Sequence, residues 1–263
     1  MNSAKRFDMV RTVFSVLIAL AISFVIIFLV SDQPLEAIKY LLIGPFTNKR
    51  SMGNVVESMI PLIFTGTGVC IMFSANQINL AGEGAFHIGG LIASCVAIKL
   101  TATFVSPFMA LLCAGLVGAL FTAIPAIMKI TTTASEMVSS LMINYLALYF
   151  GNYMLNNVIG DPKASAASYK LADAAELPVL IQGTRVHLGF IIAIAVAVLG
   201  YFFLYRTKTG YELRLAGENE EFARYSGISI VKVIMISQLL GGFVAGLGGG
   251  VEMLSPIYAR FTW

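Results

Sequence analysis

From Thr12 to Val30 the chain runs nineteen residues without a charged side chain, and that run limits what the chain can become. A helix of about 20 apolar residues matches the hydrocarbon thickness of a bilayer. Apolar runs of similar length recur near 53–73, 104–128, 137–155, 188–205 and 229–250, the first of these holding Glu57 and the last Lys232, with a shorter, glycine-rich one at 84–98. Backbone groups in lipid must be bonded within their own segment, so each run reads as a helix. Nothing alternates with the period of a barrel strand. The expected fold is therefore all-α: a polytopic transmembrane helical bundle of about seven spans, one of them short or broken, forming a single domain over 1–263.

Composition supports the same environment. The chain is 58% hydrophobic and 12% charged, whereas soluble domains carry about 25% charged residues. In water so much apolar surface would form large exposed patches; membrane lipid accepts it. No basic block is interleaved with aromatics, so nucleic acid is not an expected partner. Cys70, Cys95 and Cys113 all sit in apolar runs at no metal-binding spacing, which suits small reduced side chains.

Lys5, Arg6 and Arg11 precede the first run, as in a signal peptide. The run is too long for a signal core, and Ser31-Asp32-Gln33-Pro34 is a poor cleavage site, so it reads as a retained span. Leu35, Ile38, Leu41 and Leu42 then recur at helical spacing around Glu36 and Lys39. This predicts a short amphipathic helix on the membrane surface, ended by Pro45. Basic residues are nearly balanced between the two sides. Their density before the first span and at 206–228 favours a cytoplasmic N-terminus.

Residues 206–228 read RTKTGYELRLAGENEEFARYSGI. Asn219 can cap a helix with its side-chain oxygen. Glu220 and Glu221 fall in the first turn, where the helix dipole favours anions. Arg224 follows Glu220 by four residues, on the same face. Gly227 can take the left-handed conformation that closes a helix, and Phe222 and Tyr225 make a small apolar face. The local physics allows an ordinary solvated connection or a displayed helix that a soluble motor could grip.

Ionisable groups inside a span cost about 2.5–3.5 kcal/mol on insertion scales, which makes them functional candidates. Glu57 and Glu252 are close enough to span ends to reach the headgroups. Glu136 opens the fifth span, where a helix N-terminus favours its charge, and Asn144 lies two turns further in. Glu83 stands at the glycine-rich start of the third span, a pattern that can mark backbone lining a cavity. His87 follows it by four residues; a lone histidine makes no metal site, and none is expected. Gly241, Gly242, Gly246 and Gly248 to Gly250 suit close helix packing.

Several stretches resemble permeases of ATP-binding-cassette importers of the ribose, branched-chain amino acid and nucleoside type. They are Thr209-Gly210, Leu213-Arg214, Gly217-Glu218-Asn219 and Ala223-Arg224-Tyr225-Ser226-Gly227-Ile228. To these add Asn79-Leu80-Ala81-Gly82-Glu83-Gly84 with Gly89-Gly90, and Glu136-Met137-Val138 with Met142-Ile143-Asn144-Tyr145. The likeness covers about 12–254 and is nearer the nucleoside type than the sugar type. It implies a type II importer-like permease in a bacterial plasma membrane, with 206–228 as the cytoplasmic coupling loop.

On that resemblance Arg214, Asn219, Glu220, Glu221, Phe222, Arg224 and Gly227 serve ATPase coupling. The partners it implies are ABC ATPase subunits, an extracellular or lipid-anchored solute-binding protein, and a second permease forming a homo- or heterodimer. Phosphate-binding loops of the form G-x-x-x-x-G-K-[ST] are absent from the sequence, so ATP would be bound by the partner and the chain itself would be no enzyme. Family members continue past the seventh span whereas this sequence stops at Trp263, so on the resemblance its last spans are expected to be missing, and a truncated product, a fragment and a divergent member all stay open. Asn79, Glu83 and Asn144 are the expected substrate path, carrying donors and acceptors for a small polar solute, above all a nucleoside. A sugar or branched-chain amino acid permease remains open, as does an ion-coupled carrier with Glu83 as coupling carboxylate. A membrane enzyme lacks any paired carboxylates or Ser–His–Asp pattern in its favour.

Overall fold

The computed structural model describes residues 3–100, 105–132, 134–163, 167–256 and 258–261. They form helices and no strand, apart from two isolated bridges, Gly160 with Ser168 and Val179 with His187. The chain divides into two units, Met1–Val55 and Val56–Trp263.

The first unit holds α1 (Ser3–Val30), α2 (Pro34–Thr47) and the opening turns of α3 (Lys49–Ser74). No residue of α2 is buried. The helix runs through Pro45 to Thr47, past the stop expected from the sequence. Pro45 lacks the N–H that would bond the Leu41 carbonyl, so the helix loses one bond there without stopping.

The second unit continues α3 and adds α4 (Gly82–Lys99), α5 (Ser106–Thr132) and α6 (Glu136–Met154), the last extended by a π turn at Leu155–Ile159. Then come α7 (Gly189–Arg206), α8 (Lys208–Glu218), α9 (Glu220–Tyr225) and α10 (Ile230–Met253). The expected start of the fourth span at 104 lies outside the described residues. Among these helices, α1 from Arg11, α3, α5, α7 and α10 are long and apolar enough to cross a membrane. The other two expected spans, α4 and α6, fall short because polar residues interrupt them: Glu83, His87 and Lys99 in one, Glu136, Asn144 and Asn152 in the other.

α10 is the hub, and glycine makes it so. Gly89 and Gly90 of α4 lie against Gly246 and Gly249. Gly118 of α5 lies against Gly242 and Gly246, and Gly68 of α3 against Gly241. A Cβ on Gly246 would overlap the Ala114 carbonyl oxygen, and one on Gly249 the Phe86 carbonyl oxygen. Removing side chains lets three backbones approach one helix, so dispersion and backbone contact replace the hydrophobic effect that lipid does not supply. The same contacts correct the reading of α4. Its glycines do not break the helix, which is regular from Gly82; they are docking points for α10.

Two ends of the second unit can be told apart by contact. At one end lie the α3–α4 link, the α5–α6 turn and α8–α9. At the other, the segment after α6 is tied to the residues after α10: Leu177 donates to the Leu254 carbonyl (2.9 Å), Leu171 to Ala259 (2.8 Å) and Ser168 to Phe261 (2.8 Å). His187 is fully buried at this second end, its Nδ1 accepting from the Gly189 N–H at 3.1 Å.

Two outcomes follow from this packing. Gly246→Leu should cost about 3 kcal/mol or more through backbone overlap, read as a large fall in Tm in detergent. Gly66→Ala, with open space around it, should leave Tm unchanged. Burial also pushes the His187 imidazole down from 6.5 to about 4. The folded state thus disfavours its protonated form. Stability should be full above pH 6.5 and decline as pH falls towards 4, and His187→Gln should flatten that part of the Tm profile.

Candidate functional site

The α3–α4 link positions most of the polar chemistry. α3 closes in a Schellman motif: Asn76 takes the left-handed region at φ +54, its N–H donates to Phe73, and Gln77 donates to Met72. Asparagine tolerates that region better than most side chains. Residues 77–80 then form no helix, and the chain turns at Ala81 (φ −70, ψ 2) into α4.

Asn144 of α6 braces this link. Its Oδ1 accepts from the Gly84 N–H at 3.0 Å, and its Nδ2 donates to the Leu80 carbonyl at 2.7 Å. Ser140, one turn earlier, accepts from the Leu80 N–H at 3.1 Å. One amide side chain therefore satisfies a donor and an acceptor that the helix start leaves unpaired. Asn79 is buried at 1% exposure; its Oδ1 caps the Ala81 N–H at 2.7 Å, and its Nδ2 donates to Gln238 Oε1 at 2.5 Å.

A cleft of about 360 Å³ opens between α3 and α4, lined by Pro61, Thr65, Val69, Asn79, Glu83, Phe86 and His87 among others. Glu83 is exposed in it. Of the three expected path residues, the structure brings Asn79 and Glu83 to this cleft and leaves Asn144 out of its lining. Asn144 braces backbone instead, because both ends of its amide already have partners. A larger groove of about 680 Å³ between α3 and α7 is lined by apolar and uncharged residues such as Leu62, Gly66, Phe73 and Tyr201, with nothing ionisable to hold a polar solute beyond the Cys70 thiol and tyrosine hydroxyls.

The sequence reading missed a buried polar chain beside this cleft. Lys129 Nζ donates to Gln77 Oε1 at 2.5 Å and pairs with Glu136 at 2.9 Å. Glu136 accepts a very short bond from Gln238 Nε2, and Gln238 reaches Asn79. Glu136 is 6% and Gln238 0% exposed. Charge-assisted bonds of this kind are worth about 1.5–3 kcal/mol each. Gln238 was the available signal: an amide midway along an apolar span needs a partner.

The expected helix at 219–227 is α9. Asn219 Oδ1 caps the Phe222 N–H at 2.9 Å, and Arg224 pairs with Glu220 at 3.0 Å on the exposed face. Gly227 closes it at φ +83, with Ile228 donating to Ala223 and Gly227 to Arg224. Ala223 is buried while Phe222 is 55% and Tyr225 91% exposed. Arg214 is placed differently. Its Nε donates to the Leu204 carbonyl at 3.1 Å, and its guanidinium lies 4.8 Å over the Tyr205 ring. It fastens α8 to the end of α7 within the chain.

The described residues thus give a multi-span helical bundle with a largely apolar cleft bearing Glu83 and His87, and a capped helix displayed at one end, a layout suited to a membrane transport domain. Residues 51–262 match the family described as branched-chain amino acid transport system / permease component, and the chain belongs to that family. It is 32% identical over 215 residues to the guanosine ABC transporter permease protein NupP of Bacillus subtilis, covering 80% of this chain and 62% of the relative. It is 30% identical over 254 residues to the glucose ABC transporter permease protein TsgB13 of Haloferax volcanii, covering 92% and 67%. To the nucleoside ABC transporter permease protein NupB of Lactococcus lactis it is 26% identical over 232 residues, covering 83% and 63%. The chain thus spans about two thirds of the length of the curated relatives it matches. No solved structure matches it.

Asn144→Ala should destabilise the protein by about 2 kcal/mol, since it strands the Gly84 N–H and Leu80 carbonyl in a dry setting. Thermal unfolding in detergent measures it, and Asn144→Asp should recover less than half the loss, because the carboxylate keeps only the acceptor.

Proposed function

We propose that the chain is the membrane-spanning subunit of an ATP-driven importer that moves nucleosides across the bacterial plasma membrane. The observation that carries the reading is α9: a short helix capped at both ends, turned outward, with Phe222 and Tyr225 exposed. Such a helix offers a soluble ATPase an aromatic grip with an ion pair beside it. On this reading α8–α9 and the N-terminus face the cytoplasm, and ATP is bound by the partner ATPase. A solute-binding protein delivers from outside, and a second permease, identical or related, completes the pore.

Nucleosides fit the cleft better than a bare sugar does. Phe86 and His87 offer ring faces for a base, and Glu83 can accept from base or ribose donors. The permeases from B. subtilis and L. lactis named for guanosine and nucleosides support the same choice. The H. volcanii glucose permease favours a sugar as the second reading. Asn79 and Glu83 are the path residues of this proposal, with Asn144 holding the wall in place. Glu220, Glu221 and Arg224 present the charged side of α9, and Asn219 and Gly227 fix its ends.

The test is uptake by the chain reconstituted with its ATPase and binding protein. Guanosine should enter only with ATP and no ion gradient, and glucose and leucine should not compete. Glu83→Gln should slow guanosine uptake without releasing the ATPase. Joint Phe222→Ala and Tyr225→Ala should weaken ATPase capture at least about tenfold, as loss of an aromatic anchor does. Uptake driven by a proton or sodium gradient in the absence of ATP would replace this reading with an ion-coupled carrier.

A further inference from the structure

We propose that the Lys129–Glu136 pair, with Gln77, Gln238 and Asn79, is the latch that closes the solute route at the α8–α9 end of the bundle and ties it to the ATPase-docking loop. The proposal rests on the importer reading and adds the residues that would gate it.

Three observations meet at these residues. The first is connectivity. The polar chain joins four separate elements: the α3–α4 link through Gln77 and Asn79, α5 through Lys129, α6 through Glu136 and α10 through Gln238. Lys129 and Glu136 stand only seven residues apart, yet the pair closes a ring of helices because each also reaches a distant amide.

The second is position between two openings. Asn79 lines the cleft that holds Glu83 and His87. Lys129 and Glu136 line another cleft, of about 480 Å³, with Asn76, Ile78 and Ser135. That second cleft is polar and lies at the α8–α9 end. The bonded chain thus runs from the wall of one cleft, at Asn79, to the wall of the other, at Lys129 and Glu136. Their side chains differ in access: Lys129 is 33% exposed and Glu136 5%. One partner of the pair is reachable from the second cleft while the other is held inside.

The third is contact with the docking loop. Gly217, near the end of α8, lies against the Ser74 carbonyl and the Asn76 N–H; a Cβ there would overlap Ser74. Asn76 adjoins Gln77, which receives the Lys129 bond. A shift of α8–α9 therefore bears directly on the backbone from which the latch hangs, with one glycine-tight contact between them. Buried ion pairs stabilise modestly but respond steeply when one partner is withdrawn. Such a response suits a part that must be shut in one state and open in another.

Thiol access separates a latch from a structural pair. Thr65 lines the Glu83 cleft, so Thr65→Cys, with Cys70, Cys95 and Cys113 replaced by alanine, reports access to it. Vesicles of both orientations, carrying the chain with its partners, are treated with a membrane-impermeant maleimide. Glu136→Gln keeps the size and one acceptor but removes the charge and turns an NH2 towards Lys129 or Gln238, and Lys129→Met removes the other partner; protein level in the membrane checks that each variant accumulates. Either variant should raise labelling from the α8–α9 side at least about tenfold, the shift expected when a charge-assisted bond is lost. Lys129→Arg should keep labelling low. Labelling from the other side should not change.

Coupling gives a second readout. In proteoliposomes with guanosine as the probe, Glu136→Gln should raise the ATP hydrolysed per guanosine imported at least about fivefold, because an open route wastes strokes. Unchanged labelling in Glu136→Gln at wild-type protein levels overturns the latch. Failure of the wild-type complex to import guanosine overturns the nucleoside reading instead, and the labelling result still decides the latch.

Discussion

Close approach of backbones along α10 is the constraint on which the second unit depends. A membrane helix gains nothing from burying leucine against leucine when lipid is equally apolar. What it can gain is contact density, and that requires the surface to be smooth. Gly241, Gly242, Gly246 and Gly249 supply smoothness towards α3, α5 and α4 in turn. Because the helices come so near, Thr122 of α5 can reach the Gln238 carbonyl at 2.8 Å, and Asn79 can reach its side chain. The polar chain beside the cleft is possible only at this spacing. A bulkier α10 would hold these groups apart and strand each in a dry interior, where an unpaired polar atom is costly.

Much of this was legible in the sequence. The apolar runs located the long helices, and the asparagine, glutamates and glycine of 219–227 located α9 to within one residue at its start and two at its end. Those signals are local: capping, charge placement and turn chemistry operate within four or five residues. The extent of α2 was misjudged because proline's effect depends on where in a helix it falls. α4 is short, as expected, yet unbroken: glycine has two uses, breaking a helix and docking one, and only the neighbour decides between them.

The site was less legible, for a physical reason. Asn79, Glu83 and Asn144 were recognisable as polar groups in an apolar setting, but a sequence does not say which way an amide is turned. Asn144 is turned to backbone and Glu83 to open space. Gln77, Lys129 and Gln238 escaped notice because their partners lie 52, 7 and 159 residues away. No spacing rule joins an amide in α10 to one in the α3–α4 link. Arg214 shows the converse: a cation on a docking loop invites an intermolecular role, yet the Leu204 carbonyl and the Tyr205 ring already hold it.

The corner between α7 and α8 carries a mechanical consequence. Thr207 donates to the Phe203 carbonyl at 2.7 Å and accepts from the Gly210 N–H at 3.0 Å. Arg214 adds its bond to Leu204 and its stack on Tyr205. Gly210 is so close to Phe203 and Leu204 that no side chain would fit. A joint fastened at so many points does not flex like a loop. α8 is eleven residues long, an arm of roughly 16 Å at helical rise, with α9 at its tip and Gly217 near it. A force at the tip turns α7 and α8 as one stiff crank, so leverage, rather than loop mobility, determines how far a small push at α9 is felt inside the bundle.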